Sequence, residues 1–595
     1  MKKMRLSILS LVVIHLASCG SGGSGGGGSS PDPDPDPVPP AITVVVTASS
    51  AIVRTEATQQ FDATVSNATN TAVSWSVSGE TGGNATVGTI SNSGLYTAPD
   101  TVPTPDTLTI AATSQEDSSK TGSTTVTIVS LDSGVNDALL NGRHAFVFSG
   151  SEDTSGVFVA GGTFAADGNG NITDGRQDGN FAGGTFAEQP FTGIYSIGAD
   201  RRGTMIIANS PGADCGCAPN QSTFKFNVVS DQLAHFIEFD STGAGKGTIE
   251  KQDTAAFSFA AIDGPYVFLL DGLDFNNRLS IAGRFASTSG ALSEAIADIN
   301  NAQTISTAQD ISGALTLGAN GRGTATLTTP VGELHFAYYI VTNDRLILVG
   351  TDFFPILSGT ALRQTSSPFS NASLFGKYIF GMTASTHPRP QRVIRADVGD
   401  FEADGVAQLS NGVLDRNSPS GVLDGSLLSG TYAISANGRG TAALNTEVGT
   451  ENIVFYMASE SEGFVLQVDA SGTDLNNVTS GRLRRQDTTV FSVASWQGPY
   501  GLFVTGSGAA TDPTNISGML VADGASALAT TQDIYDGLLH PDESLTGTYE
   551  VQATGRGTAA FPTSDFNVYF ASSSDIFLIG MNPGEVRFGS ALRQE

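Results

Sequence analysis

Positive charge is what this chain has least of. Its 595 residues include 29 lysines and arginines against 58 aspartates and glutamates, a formal net charge of −29. Cations so few and so thinly spread leave no electrostatic footprint for nucleic acid. The acidity suits solubility outside the cell, with attraction of cations as the alternative. Three cysteines are too few for a disulfide framework. The longest apolar run near the start, Leu6 to Leu16, is about eleven residues, short of the roughly 20 a permanent membrane helix needs. Charged residues make up only 15% of the chain while glycine reaches 71, the profile of an exported all-β protein rather than a cytosolic helical enzyme.

What the chain does have is repetition. Gly-Arg-Gly-Thr occurs at Gly321–Thr324, Gly438–Thr441 and Gly555–Thr558, and altered as Arg201-Arg202-Gly203-Thr204. The spacing of about 120 residues marks a tandem repeat. Each copy follows an alternating strand such as Gly430–Ala436, so the motif reads as a tight turn and the start of the next strand. Three repeats open on aromatics two apart, which point to one strand face, at His144/Phe146, Tyr266/Phe268 and Tyr378/Phe380, and the fourth opens alike on Tyr500-Gly-Leu502-Phe503. Each closes on Lys251-Gln252, Arg363-Gln364, Arg485-Gln486 or Arg593-Gln594. Between these marks lie about eight strand-like runs, enough to close a small up-and-down barrel and remove exposed edges. An eight-stranded sandwich is the alternative. Before each opening, a Ser or Asn followed by Ala and a large apolar residue predicts one helical turn that plugs a barrel end.

The predicted fold is therefore all-β: one sandwich followed by four tandem eight-stranded antiparallel barrels. The divisions are 1–18 signal, 19–40 anchor and stalk, 41–130 first domain, and repeats at 135–253, 257–364, 369–487 and 491–595. Lys2, Lys3 and Arg5 precede the apolar run, which ends Leu16-Ala17-Ser18-Cys19. That ending resembles the lipobox of bacterial lipoproteins. The resemblance implies acylation (palmitate-type) at Cys19, cleavage of the signal peptide before it, and membrane attachment through the lipid. Gly20 after the cysteine implies the outer membrane, on its periplasmic face or at the cell surface. Residues 20–30 are Gly and Ser, and the Pro/Asp alternation from Pro31 to Pro40 predicts a semi-rigid spacer of about 30 Å. Short alternating runs fill 41–130. Val73-Ser-Trp75-Ser-Val77, Gly94-Leu-Tyr96-Thr-Ala-Pro99 and Ile110–Thr113 resemble a bacterial immunoglobulin-like domain of the group 2 type. Such domains serve as spacers or adhesive modules, and Trp75 is expected in the core. The repeat openings, preceding turns and final basic residue resemble lipocalin-like barrels. Those start Gly-x-Trp and end with an arginine over that ring. Here Tyr or His replaces Trp, so the likeness is architectural and carries no ligand.

Candidate chemistry is sparse. Asp167, Asn169 and Asn171, with Asp178 in the twelfth position, resemble a calcium loop, but Ile172 stands where glycine is needed and Asp178 where glutamate is usual. A hairpin turn, repeated at Asp404-Gly405 and Asp523-Gly524, is the favoured reading, which leaves no metal or other cofactor. Asp178-x-Asn180 recurs as Asp298-x-Asn300 and Asp415-x-Asn417, decaying to Asp533 alone. It offers oxygen ligands or an Asx-turn. Cys215 and Cys217 occur in one repeat, where a vicinal bridge, a two-thiolate site and an incidental loop are the options, the last favoured. His144, His235, His335, His387 and His540 match no common position, and no Ser/His/Asp order recurs, so no enzyme is expected. The recurring Arg202, Arg322, Arg439 and Arg556 are expected to lie across an opening aromatic or on carbonyls at a barrel end. Four basic points for an acidic ligand are the rival. The expectation is a non-enzymatic envelope lipoprotein for binding or adhesion, to a glycan or to a small hydrophobic ligand inside the barrels. The alternative is a purely structural surface or stalk protein. An integral outer-membrane barrel does not fit, because lipid-facing strands are longer.

Overall fold

The structure, a computed structural model of the chain, describes residues 40–595 except 49, 51, 132–133, 153–155, 210–220, 241–242, 276, 303, 367, 386–392, 470–477, 488–489 and 509–512. The lipobox with Cys19, the stalk, Cys215, Cys217 and His387 lie outside the described residues.

Residues 43–129 form two five-stranded sheets that share one core. Alternation decides which side faces in: Phe61, Trp75, Val77, Tyr96 and Ile110 point into that core, and the polar residues between them face water. This region rests on the outside of the first barrel. Ile52 and Val129 pack on Ile194 and Ile206, and Arg54 donates to the Gly170 and Tyr195 carbonyls.

Barrels, not sandwiches, follow. The first runs from Asn141–Glu152 to Gly243–Lys251, the third from Phe375–Ser385 to Ser480–Arg485, the fourth from Gln497–Ser507 to Val586–Arg593. Each is closed by antiparallel pairing of its first and last strands. The second spans Gly264–Asp274 to Ile356–Arg363 and has nine strands, because its long fourth strand is broken into Ile305–Asp310 and Ser312–Leu317. It closes through the same first-to-last pairing.

Ser258 caps one of the helical turns, Ser370 and Ser492 form capping boxes at two others, and Asn136 makes no side-chain cap bond at the first. Asp137–Leu139, Phe259–Ile262, Asn371–Ser373 and Val493–Ser495 each deliver one large apolar residue to a barrel end: Leu140, Ile262, Leu374 and Trp496. In three barrels a tyrosine of the fourth strand holds that turn. Tyr195, Tyr432 and Tyr549 donate to the carbonyls of Leu140, Leu374 and Trp496. In the second barrel Arg363 lies over the Tyr266 ring at 4.9 Å and donates to its hydroxyl at 2.9 Å. This is the arginine-over-aromatic arrangement expected of the closing residue.

Candidate functional site

The four repeated arginines do not lie over opening aromatics or barrel-end carbonyls. Each reaches into another barrel. Arg322 forks onto Asp178 of the first barrel, Nε at 2.8 Å and Nη2 at 2.7 Å. Arg439 does the same to Asp298 of the second at 2.7 and 2.6 Å, and Arg556 to Asp415 of the third at 3.1 and 2.9 Å. Arg202 of the first barrel binds Asp533 of the fourth at 3.0 Å. Every barrel thus holds its predecessor and the first holds the last, so four consecutive barrels close into a ring.

Local backbone explains the partner. Each of these aspartates lies at a β-bulge, where the ladder shifts between Gln177/Gly179, Ala297/Ile299, Leu414/Arg416 and Gln532/Ile534. The extra residue leaves the ladder and aims its carboxylate out of the barrel. One Asp oxygen then accepts the N–H of Glu188, Ala308, Gly425 or Asp542 on the next strand. Those four residues all have positive φ, 50°, 51°, 69° and 57°, and only one is glycine. Left-handed backbone at three non-glycine positions is held by the tertiary contact it serves. The Asp-x-Asn repeat is therefore a bulge that presents an anion to the neighbour. Its asparagine also crosses the junction: Asn300 donates to Gln467 O at 2.9 Å and Asn417 to Gly580 O at 2.8 Å.

Other repeated residues serve the same junctions. Across the ladder from Arg322, Arg439 and Arg556 stand Tyr339, Tyr456 and Tyr569, and each hydroxyl donates to the same aspartate. Burial first, then the adjacent carboxylate, pushes these hydroxyls well above the ordinary tyrosine value. The closing glutamines donate forward, Gln252 to Ile340 O at 2.6 Å, Gln364 to Met457 O at 2.8 Å, Gln486 to Phe570 O at 2.7 Å, and Gln594 back to Val228 O of the first barrel at 2.9 Å. In three of the four copies the glycine after the arginine leaves room for a ring. A Cβ on Gly440 would stand 2.1 Å from Phe455, and one on Gly323 would stand 2.3 Å from Tyr338.

The calcium-type set is not assembled. Asp167 turns its carboxylate inward on its own hairpin and accepts from Asn169 N, Asn171 N and Asn171 Nδ2 at 2.7–2.9 Å. Asp178 lies seven residues beyond Asn171, roughly 20 Å along the strand, and is committed to Arg322 and Tyr339. Asp404 and Asp523 bind their own loop N–H groups in the same way. Among the described residues no group of three or more His, Cys, Asp and Glu side chains is placed to hold a metal ion.

The interiors of the first, third and fourth barrels have little free room, contrary to that expected there for a hydrophobic ligand. Free volume is about 10 Å³ in the third barrel, 30 Å³ in the fourth and 70 Å³ in the phenylalanine-lined first. Drug-sized ligands occupy roughly 300–1,000 Å³. One end of the third barrel is filled by Arg395, Asp397, Arg416 and Glu451, mutually paired at 2.6–3.0 Å. Burial would raise the Asp397 carboxyl, but the two guanidinium groups hold it below the ordinary value. That cluster is neutral and satisfied.

A larger space than these lies between barrels. On the ring axis a cavity of about 310 Å³ takes its walls from all four, including Ser149, Val157 and Lys246 of the first, Asp271, Arg278 and Ser358 of the second, Thr383 and Val393 of the third, and Phe503, Thr505 and Asn515 of the fourth. No repeat contains this site. It exists only because the ring closes.

No protein-family model matches the chain, and no curated protein matches it by sequence. Among solved structures it is similar to transferrin binding protein B from Haemophilus parasuis Hp5, at 10% identity over 63% of this chain and 82% of that one, with a TM-score of 0.17. It is also similar to a protein of unknown function of the DUF3598 family from Nostoc punctiforme PCC 73102, at 8% identity over 59% of this chain and 98% of that one, with a TM-score of 0.13. At these scores neither likeness carries an argument about what this chain does. No helix among the described residues is long and apolar enough to cross a membrane.

Proposed function

We propose that this chain is a non-enzymatic, lipid-anchored protein of the bacterial cell envelope whose four barrels form one rigid ring, and that it binds its ligand on the ring axis. The axial cavity carries this reading. It is within the size range of small-molecule sites, mixes polar and apolar walls, and is assembled from four separate repeats. In the same reading Cys19 carries the lipid, the Pro/Asp stretch is a stalk, and residues 41–130 are an immunoglobulin-like spacer docked on the first barrel.

Two measurements test it. In the full chain, Ser149→Phe places a large side chain on the cavity wall. A compound from a panel of small sugars and organic acids should raise the melting temperature of the parent and leave that of the variant unmoved. If no compound distinguishes the two proteins, the ring is structural. For the anchor, Cys19→Ala should abolish incorporation of a labelled palmitate, and unchanged labelling would remove the lipoprotein reading.

A further inference from the structure

The axial cavity holds two cations that the fold leaves incompletely matched. Among the described residues Lys246 has one side-chain hydrogen-bond partner, Thr505 Oγ1 of the fourth barrel at 2.9 Å. Arg278 is 8% exposed, and its Nε is buried without a hydrogen-bond partner. Its Nη2 reaches Asp271, the Thr383 carbonyl and Ser480 only at 3.3–3.5 Å, the outer edge of hydrogen-bond distance. Among the described residues Asp271 is the one carboxylate on the wall, and it accepts from the hydroxyls of Ser280 and Ser480. Two cations therefore face one anion that is already engaged. Buried charge without a full set of partners is costly, and an incoming anion lowers that cost. Burial, with the field of Arg278 added and that of Asp271 opposing, brings the Lys246 ammonium down to about 8.

We infer that the axial cavity binds a small organic carboxylate, its charge engaging Lys246 and Arg278 and its skeleton lying against Val157, Val159 and Phe503. Ser358, Thr505 and Asn515 supply further donors for the carboxylate or for hydroxyls on the skeleton. The inference rests on the reading of this cavity as the binding site.

Calorimetry on the full chain tests it with two matched pairs, glucuronate against glucose and benzoate against benzyl alcohol. At least one acid should bind at least about tenfold more tightly than its neutral partner, as a charge-assisted contact requires. Lys246→Met should remove that preference and Lys246→Arg should restore it. In the unaltered protein, acid affinity should fall as pH rises through about 8, because Lys246 loses its proton while the neighbouring Arg278 stays charged. Neutral compounds binding as tightly as acids, and losing affinity in Ser149→Phe, would keep the cavity as a site and overturn the carboxylate. Inorganic phosphate binding as tightly as either acid would also overturn it, since the skeleton would then count for nothing. No binding by acid or neutral compound, in parent or variant, would sink both readings.

Discussion

Three of the four ring junctions are built alike and the fourth is not. Where barrels adjacent in sequence meet, the bulged aspartate receives an arginine fork and a tyrosine hydroxyl within an apolar patch. Ala145, Ala337 and Tyr339 pack at the first junction, Val267, Val454 and Tyr456 at the second, and Ile379, Val398 and Tyr569 at the third. Where the fourth barrel meets the first, Asn227 stands in the tyrosine position and Tyr535 in the asparagine position. Asn227 donates to Leu502 O at 3.0 Å and Ser517 Oγ at 2.9 Å, and His235 stacks on Phe503 at 4.7 Å. Arg202 divides itself among Asp200, Asp533 and the exposed Asp542. Burial raises the Asp533 carboxyl even with Lys225 and Arg202 beside it. The contrast follows from chain connectivity. Linkers hold successive barrels at high local concentration, and three formed junctions already fix where the fourth barrel lies. The closing seam can be made of weaker, more polar contacts.

The severest way to break this comparison is to remove every junction at once. Residues 369–487 contain a complete closed barrel, so the fragment should give a β-type circular dichroism spectrum. Its outer residues Ile379, Val398, Val454 and Phe464 are buried in the ring, so it should also self-associate and melt well below the full chain. A monomeric fragment as stable as the full chain would make the ring an incidental stacking of independent barrels.

Within the full chain, Arg439→Ala strands the fully buried Asp298 and should cost about 3–5 kcal/mol in denaturant unfolding. Arg439→Lys should recover little of this, because an ammonium cannot reproduce the two-pronged contact. Loss of less than about 1 kcal/mol would contradict a buried serial junction.

Arg202→Ala at the seam should cost less, about 1–2 kcal/mol, since Lys225 remains 3.9 Å from Asp533. The pH response should identify the site. A raised carboxyl pKa means that the folded state holds the proton more tightly than the unfolded one. The Asp533 contribution to stability therefore falls as pH rises from about 3.8 through its folded pKa. The Arg202→Ala penalty should shrink as pH is lowered from neutral into that window, and a penalty that grows there would reverse the assignment.

The smallest effect is kinetic. Amide exchange at Val228 and Val229, beside the seam, should be faster than at Met457 and Ala458, their counterparts at a serial junction. A difference of about tenfold corresponds to about 1.4 kcal/mol of local opening. Equal protection would erase the distinction between seam and serial junctions.

Much of the barrel was legible in the residues. Openings such as Tyr378-Ile-Phe380, glycine-punctuated hairpins and a closing basic residue determine strand count and direction, because side-chain alternation and turn chemistry act over a few residues. The break in the second barrel's fourth strand was not visible. Nor was the purpose of the bulged aspartates, since an aspartate in a polar run suits an exposed turn as well as a buried contact. One signal was present. The sixth and seventh strands, such as Phe336–Val341 and Leu346–Val349, are apolar at consecutive positions, which a strand with one wet face does not require. They are buried on both sides, by the lumen and by the neighbouring barrel.

The sequence by itself determined that one β unit is built four times and that an arginine, an aspartate and a glutamine recur at fixed places within it. Those are local properties, set by spacing and alternation along the chain. Only the tertiary structure decided that the arginine of one copy belongs to the aspartate of the copy before it, and that the first copy reaches the last. It also decided that the open space lies between the barrels. Partners some 140 residues apart in the serial junctions, and 331 residues apart at the seam, are chosen by the outer shapes of folded barrels, which no run of residues encodes alone.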